Sequence, residues 1–297
     1  MKQHQITDKT RLVGIIGWPV DDRLDPAMHN AAFAELGIDW AYIPLPVQPH
    51  QLDQALKGLV TLNFVGVNIV APHQQAVMRY IDELSEAARI TGAVNTLHIR
   101  ARKFYGYNTD ATGFLKALQE AGYDPKGMQV AILGAGSAAR AVIFSLARAK
   151  ADHIMVFNRT AERAAFLVDD LAEAFPTSRL VFEPLNSASL AALHGKVDLV
   201  VNTTSVGMRP NIDACPWPAD VFISSNTIFY DLVYDPLDTL FLQRARAAGI
   251  RTIDGLGMLV HQGVFAFEKW TGQQAPVEVM RQVCMQELEI HHADIAS

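Results

Sequence analysis

Cysteine is scarce in this chain, and its two copies, Cys215 and Cys284, stand far apart. They form no CxxC pair and no histidine–cysteine spacing of the kind that holds a metal, so the sequence predicts neither a disulfide framework nor a metal site. Such sparse use of cysteine is typical of proteins from a reducing, intracellular compartment.

Two further absences exclude whole classes of protein. Residues 1–11 are polar where a secretory signal peptide needs an apolar core, and no apolar run approaches the length of a membrane span. The net charge is −6 and the pI is near 5.9, with no basic run that would bind nucleic acid. We therefore expect a cytoplasmic protein without a membrane or nucleic-acid partner.

What the chain does contain is a regular alternation of short apolar strands and helices over its 297 residues. This alternation predicts an α/β architecture, and the length suffices for two domains. From residue 129 onward, six strand candidates with intervening helices match a doubly wound Rossmann sheet. After residue 255 the chain becomes helical again, and we expect these C-terminal helices to return to the first domain.

The most informative stretch runs from Gln129 to Thr160. An apolar strand is followed by Gly134-Ala135-Gly136-Ser137-Ala138-Ala139, an alanine-rich helix and a second apolar strand. The G-x-G-x-x-A pattern is typical of a turn that brings a helix N-terminus to the pyrophosphate of a dinucleotide. A glycine turn of this kind also occurs for purely structural reasons, but the spacing of the second strand favours the dinucleotide.

The second strand ends in Asn158-Arg159-Thr160 and lacks the acidic residue that grips the ribose of NAD. An arginine at this point suits the 2′-phosphate of NADP, so the sequence predicts NADP as the cofactor. The alternative is that Arg159 is an ordinary surface arginine.

Further motifs follow one another along nearly the whole chain. They are Gly17-Trp18-Pro19-Val20, Pro26-Ala27-Met28-His29-Asn30, Gly66-Val67-Asn68, Ala93-Val94-Asn95-Thr96, Gly106 to Gly113, Asn202 to Met208, Tyr230 to Pro236 and Gly257 to Gly263. In these motifs the chain resembles the shikimate dehydrogenase family of shikimate and quinate dehydrogenases. The resemblance implies a substrate-binding domain (1–111 and 255–297) and an NADP-binding Rossmann domain (112–254). It also implies reversible hydride transfer between NADPH and 3-dehydroshikimate, a reaction of aromatic amino acid biosynthesis.

The resemblance implies the site residues as well. Asp110 matches a catalytic residue of the family, and the substrate contacts correspond to Asn68, Asn95, Tyr234 and Gln262. The cofactor contacts correspond to Gly134, Ala135, Gly136, Ser137, Ala138, Ala139, Asn158, Arg159, Thr160, Thr203, Thr204, Ser205, Met208, Gly255 and Met258.

Four polar positions of the family's substrate site are changed in this chain. The family's two carboxylate-binding serines are replaced by Arg23 and Asp25, its hydroxyl-binding threonine by Val70, and its proton-transferring lysine by Gln74. Because a pocket that loses its hydrogen-bond partners discriminates against its original ligand, we expect weak or no activity on shikimate.

The new pair of charged residues, Arg23 and Asp25, allows two interpretations. Arginine can bind a carboxylate through two charge-assisted hydrogen bonds, whereas Asp25 would repel an anionic substrate or occupy Arg23 itself. An internal Arg23–Asp25 pair would close the family's carboxylate pocket. Asp25 also stands directly before Pro26, which predicts that it caps the helix beginning there.

Proton transfer falls to Asp110, because the amide of Gln74 donates a hydrogen bond but has no proton to exchange near neutral pH. The alternative for Asp110 is the N-cap of a helix that we predict from Gly113 onward. The leading hypothesis is an NADP-dependent oxidoreductase of an alcohol or ketone, present as a monomer or homodimer and acting on a small molecule. The alternative is a non-catalytic NADP-binding sensor or a redesigned scaffold.

Overall fold

The chain divides into two units, which we describe separately. A computed structural model describes residues 6–21, 23–222 and 224–296, with side chains up to residue 290. Unit 1 consists of Met1–Gly113 and Val260–Ser297, and unit 2 of Phe114–Leu259. The sequence placed the domain boundaries slightly earlier, at 111/112 and 254/255.

The bounds of the secondary-structure elements, in chain order, are as follows. The strands are β1 (Arg11–Gly17), β2 (Trp40–Pro46), β3 (Gly66–Ile69), β4 (Glu83–Leu84), β5 (Thr96–Arg100), β6 (Lys103–Tyr107), β7 (Gln129–Leu133), β8 (His153–Asn158), β9 (Arg179–Pro184), β10 (Leu199–Asn202), β11 (Ile228–Asp231) and β12 (Arg251–Ile253). The helices are α1 (Asp25–Glu35), α2 (Leu52–Thr61), α3 (His73–Ala76), α4 (Glu86–Thr91), α5 (Thr109–Glu120), α6 (Ser137–Arg148), α7 (Ala161–Ala172), α8 (Ser187–Ala191), α9 (Leu240–Ala247), α10 (Leu256–Thr271) and α11 (Val277–Ala296).

Unit 1 is built on a mixed sheet with the strand order β2-β1-β3-β5-β6-β4. Strands β2, β1 and β3 are parallel to one another, whereas β5 is antiparallel to both β3 and β6. The central strand β3, which the sequence predicts over residues 66–70, is buried on both faces, including its polar residue Asn68. The C-terminal helices belong to this unit, and α11 packs against α1, which confirms the predicted return of the chain.

One close contact fixes α10 to this sheet. The indole N–H of Trp270 donates a 2.8 Å hydrogen bond to the backbone carbonyl of Leu97 in β5. The indole passes directly over Gly66, where a Cβ would lie 2.2 Å from both the Trp270 Nε1 and the Leu97 oxygen. Glycine at position 66 is therefore required by the approach of this side chain.

Unit 2 is a parallel sheet with the strand order β12-β11-β10-β7-β8-β9. This is the order of the doubly wound dinucleotide-binding fold, in which the topology reverses between the first and fourth strands, here β7 and β10. All six predicted strands are present, so the α/β fold with a Rossmann domain is confirmed.

The four inner strands of unit 2, β7, β8, β10 and β11, are buried on both faces. Helix α6 presents its buried side chains, among them Val142 and Leu146, to the core. Among the described residues of the whole chain, none of the helices is both long and apolar enough to cross a membrane.

Candidate active site

Asp110 lies in the first turn of α5, but it does not cap that helix. The helix begins at Thr109, four residues earlier than the sequence predicts. Asn108 supplies the cap, because its Oδ1 accepts a 3.1 Å hydrogen bond from the Ala111 backbone N–H. The capping interpretation of Asp110 is therefore wrong, and its carboxylate is available for another role.

The environment of Asp110 brings its pKa closer to neutrality. The residue is half-buried. Burial raises the pKa of its carboxyl from 3.8 to about 6, and the charge of Asp25 adds to the rise, while a hydrogen bond from Asn95 and the charge of Arg23 oppose it. An acid whose pKa lies this close to neutrality populates both protonation states at working pH, which is what proton transfer requires.

Asn95 holds both Asp110 and the start of α5. Its Nδ2 donates to Asp110 Oδ1 at 2.8 Å and to Thr109 Oγ1 at 3.0 Å, and its Oδ1 accepts from the Thr109 backbone N–H at 2.7 Å. Both N–H groups of the amide are thus committed to the protein. In this arrangement Asn95 orients Asp110 and has no N–H left to donate to a ligand.

The prediction that Asp25 caps α1 is wrong. The cap position is occupied by Leu24, and Asp25 is the first residue within the helix, followed by Pro26. The side chain of Asp25 is 4% exposed, and its Oδ1 accepts a 3.2 Å hydrogen bond from Gln262 Nε2 of α10. Burial raises the pKa of Asp25, and this effect outweighs the charge of Arg23 and the hydrogen bond from Gln262, which lower it.

These residues form one electrostatically connected group in unit 1, which we call the carboxylate cluster and define as Arg23, Asp25, Asn95, Asp110 and Gln262. The charges of Asp25 and Arg23 both act on the pKa of Asp110. The cluster brings together five of the residues singled out from the sequence.

Asn68 is connected to the cluster by buried hydroxyl groups that sequence reasoning missed. Asn68 Nδ2 donates to Thr96 Oγ1 at 3.0 Å, and Thr96 Oγ1 lies 3.1 Å from Thr109 Oγ1, which also bonds Asn95. A second missed residue, Tyr42, donates its hydroxyl to Asn68 Oδ1 at 2.8 Å. The sequence offered one signal for these two residues, which is that a tyrosine in β2 and a threonine in β5 stand where the strand pattern calls for an apolar residue.

Val70 and Gln74 lie after the carboxyl end of β3, where Asn68 also resides. A side-chain methyl of Val70 lies directly over Gly17, where a Cβ would approach it to 2.3 Å. Gln74 is half-buried, and its backbone carbonyl accepts from the Val94 N–H at 2.9 Å. The adjacent His73 is buried, and its Nε2 lies 2.7 Å from the Val47 carbonyl, so its imidazole serves the fold.

In unit 2, the glycine-rich turn has the geometry that a pyrophosphate needs. Gly134 has φ +111°, and a Cβ there would lie 2.7 Å from Thr203 Oγ1. Above Gly136, a Cβ would meet nothing within 4 Å, and no side chain caps α6 at this residue. The first N–H groups of α6 therefore have no side-chain cap, which leaves them available to a phosphate group, and Ala139 is fully buried.

The remaining candidate cofactor residues lie at the carboxyl ends of the strands of unit 2 or just after them. Asn158 ends β8, and its Nδ2 donates to the Thr160 carbonyl at 2.8 Å, while Arg159 is exposed. Gly255 packs against the backbone that follows β11. A Cβ at this position would lie 2.4 Å from the backbone oxygen of Leu232. The half-buried Ala135, Ser137, Ala138, Thr203, Thr204 and Met258 and the exposed Ser205 and Met208 belong to this unit as well. Tyr234, which the resemblance implies as a substrate contact, is half-buried and also belongs to unit 2.

A buried polar group that the sequence did not predict holds the loop after β10. Asn202 Oδ1 accepts from the Thr204 backbone N–H at 3.0 Å and from its hydroxyl at 2.7 Å, and Asn202 Nδ2 donates to Asp231 at 2.8 Å. Asp231 also accepts from Thr239 Oγ1 at 2.7 Å. These bonds fix Thr203 and Thr204 opposite the glycine-rich turn.

The family models that match this chain all describe one family. The chain matches the shikimate dehydrogenase substrate-binding domain over residues 15–97, shikimate/quinate 5-dehydrogenase over 116–208 and the shikimate 5′-dehydrogenase C-terminal domain over 255–285. The shikimate dehydrogenase (NADP(+)) of Desulforamulus reducens is 45% identical over 280 residues, which are 94% of this chain and 96% of that protein.

Two solved structures are informative. Shikimate 5-dehydrogenase of Thermus thermophilus, in complex with NADP(H) and shikimate, is 35% identical with a TM-score of 0.84, covering 93% of this chain and 99% of that one. Ligand-free 5-ketofructose reductase of Gluconobacter sp. strain CHM43 is 36% identical with a TM-score of 0.86. The match covers 94% of this chain and 99% of that one.

Proposed function

The chain belongs to the shikimate dehydrogenase family, and from this premise we propose that it is an NADP-dependent oxidoreductase acting on an uncharged polyhydroxy ketone and its alcohol. Activity on shikimate itself is weak or absent. Unit 1 binds the substrate and unit 2 binds NADP. The observation that carries the proposal is the buried carboxylate of Asp25 in the carboxylate cluster, at a position where the family has a carboxylate-binding serine.

The charge balance of the cluster supports an uncharged substrate. Asp25 and Asp110 are two acidic groups, and the cation whose charge acts on both is Arg23. The replacement of the family's lysine by Gln74 removes a second cation. A substrate carboxylate would be a third acidic group against one guanidinium, whereas hydroxyl groups of a neutral substrate can donate to the carboxylates.

The cofactor side supports NADP. The open space over Gly136 and the uncapped start of α6 fit a pyrophosphate, and Arg159 is exposed beyond β8, where the 2′-phosphate would be recognised. The related protein of Desulforamulus reducens carries NADP(+) in its name. When bound, the nicotinamide supplies or accepts the hydride.

The residues of unit 1 supply the proton. Reduction of a carbonyl adds hydride to carbon and leaves negative charge on oxygen, which must then be protonated. The protonated carboxyl of Asp110 gives its proton to that oxygen and becomes a carboxylate, and the reverse transfer accompanies oxidation of the alcohol. Gln74 donates a hydrogen bond without exchanging a proton.

A substrate of this class is known for a similar protein. The 5-ketofructose reductase that resembles this chain is named for an uncharged sugar ketone, so the fold accommodates such a substrate without a carboxylate. We infer the same class here from Asp25 and not from this likeness alone.

The test is a matched comparison of charged and neutral substrates. Purified protein with NADP+ would be assayed on shikimate and on its methyl ester, which differ in the carboxylate, and with NADPH on 5-ketofructose and related ketoses. We expect turnover of neutral compounds to exceed that of shikimate by at least about 100-fold in kcat/KM, as for a site with unpaired buried groups. Higher kcat/KM for shikimate than for its ester would overturn the proposal.

Variants then assign the effect to Asp25. Asp25→Ser with Gln74→Lys restores two family residues and should raise activity on shikimate, whereas Asp21→Ser, at an exposed neighbouring carboxylate, should leave the preference unchanged. If the wild type binds NADPH but reduces no ketone, and the double variant oxidises no shikimate, the chain is a non-catalytic NADP-binding protein instead.

A further inference from the structure

We propose that Tyr42 is a positioning residue of the substrate site, which fixes the side-chain amide of Asn68 so that this amide accepts a hydrogen bond from a substrate hydroxyl. The inference rests on the proposed function for its substrate class. Tyr42 lies in β2 and Asn68 in β3, two strands separated by β1. The tyrosine hydroxyl reaches across to donate a 2.8 Å bond to Asn68 Oδ1.

The hydrogen bonds of Asn68 decide what it can offer to a ligand. Its Nδ2 donates to Thr96 Oγ1 at 3.0 Å and to the Asn95 carbonyl at 3.3 Å, so both N–H groups are used. Its Oδ1 has two acceptor positions, and Tyr42 takes one. Among the contacts of the described residues, no group takes the second acceptor position of Asn68 Oδ1. A ligand group that binds Asn68 must therefore donate a hydrogen bond.

Tyr42 is itself held at three points. Asn30 bonds both sides of its backbone, donating to the Tyr42 carbonyl at 2.9 Å and accepting from its N–H at 2.8 Å. The ring of Tyr42 stacks on His29, with ring centroids 4.6 Å apart and an interplanar angle of 2°. Its ring centroid lies 6.2 Å from that of Trp270. These contacts hold the backbone and the ring of Tyr42, and they therefore fix the position of its hydroxyl oxygen.

His29 acts in this arrangement as a flat, neutral ring. Neither of its ring nitrogens has a partner among the described residues, and burial lowers its pKa to about 3. The histidine and asparagine of the Pro26-Ala27-Met28-His29-Asn30 motif therefore have a shared purpose, which is to hold Tyr42.

The hydroxyl of Tyr42 also stays protonated. Burial raises its pKa, and the nearby charge of Asp25 raises it further against the opposing charge of Arg23. Tyr42 is therefore a donor toward Asn68 at every working pH, and it lies within electrostatic reach of the carboxylate cluster.

The test is Tyr42→Phe, which deletes one oxygen and keeps the stacked ring. With NADPH and the best ketone from the substrate screen, we expect KM for the ketone to rise about three- to tenfold with kcat within about twofold. The reason is that Asn68 binds the substrate equally in the ground and transition states. The matched control is Tyr105→Phe, at a half-buried tyrosine of β6, which should change neither constant.

A purely structural role for Tyr42 predicts a lower melting temperature with an unchanged KM, and that result would overturn the inference. A loss confined to kcat would also overturn it. A readout without substrate separates this failure from failure of the proposed function. The side-chain amide signals of Asn68 in a nitrogen-proton NMR spectrum, assigned by their loss in Asn68→Asp, should shift in Tyr42→Phe and not in Tyr105→Phe. Unshifted signals would refute the positioning role even if no ketone is reduced.

Discussion

Replacing Asp110 with asparagine separates the chemical role of this carboxylate from its cost to the fold. The amide has nearly the same shape, and its oxygen can still accept the hydrogen bond that Asn95 donates to Asp110 at 2.8 Å. It carries neither a charge nor an exchangeable acid proton. We expect Asp110→Asn to lower kcat by about 100- to 10,000-fold, the usual contribution of a positioned acid.

The same substitution should stabilise the protein at neutral pH. An acid with a pKa of 3.8 when unfolded and about 6 when folded is protonated in both states at low pH and ionised in both above pH 6. In the range between, the folded state binds the proton more tightly, so the free energy of unfolding falls as pH rises. At about 1.4 kcal/mol for each unit of pKa, the charge costs up to about 3 kcal/mol above pH 6.

Because Asp110 is only half-buried, water screens part of this cost. The expected gain in Asp110→Asn is therefore about 1 to 2 kcal/mol at pH 7.5, decreasing toward zero near pH 4. Urea unfolding followed by tryptophan fluorescence measures it. A Trp217→Phe background restricts the signal to tryptophans of unit 1, since Trp217 is the tryptophan of unit 2.

Asp169→Asn, at an exposed carboxylate of α7, is the matched control and should show no comparable pH-dependent gain. A stability difference between Asp110→Asn and the wild type that is the same at pH 4 and pH 7.5 would refute the reasoning about the buried charge. Retention of kcat within about threefold, below the range of general acid catalysis, would refute the assignment of Asp110 as the proton donor.

Three further outcomes follow from single positions. Gly66→Ala should lower the free energy of unfolding by about 2 to 4 kcal/mol in urea denaturation, because its Cβ would collide with the Trp270 indole and the carbonyl that this indole bonds. Gly134→Ala should weaken NADPH binding in a fluorescence titration, because φ is +111° there and Thr203 leaves no room for a methyl group. Arg159→Ser should weaken NADP+ binding about 10- to 100-fold, with NAD+ affinity unchanged; unchanged affinity for both cofactors would assign Arg159 to the protein surface, and equal losses for both would refute its contact with the 2′-phosphate.

The parts of the site that could be predicted from the sequence are those that depend on local backbone geometry. The turn from Gly134 to Ala139 is one, because the conformation of a glycine and the start of the following helix are settled by adjacent residues. The strand ending at Asn158 is another, since an apolar run defines its end. These features place the candidate phosphate site without knowledge of any distant contact.

The roles of Asp25 and Tyr42 could not be predicted in this way. An aspartate before a proline has the local pattern of a helix cap, yet Asp25 bonds Gln262, which lies 237 residues further along the chain. A tyrosine in an apolar strand has the local pattern of a core residue, and its hydroxyl partner comes from another strand. Both side chains take their roles from neighbours that only the folded structure supplies.

The position of α10 and α11 has a consequence for the order in which the molecule is made. Unit 2 is one continuous segment, whereas unit 1 needs residues from both ends of the chain. On the ribosome, all six strands of the dinucleotide sheet can assemble before Gln262 reaches Asp25 or Trp270 reaches Leu97. The carboxylate cluster is therefore completed last, so a nascent chain would be able to hold its nucleotide before it is able to recognise a substrate.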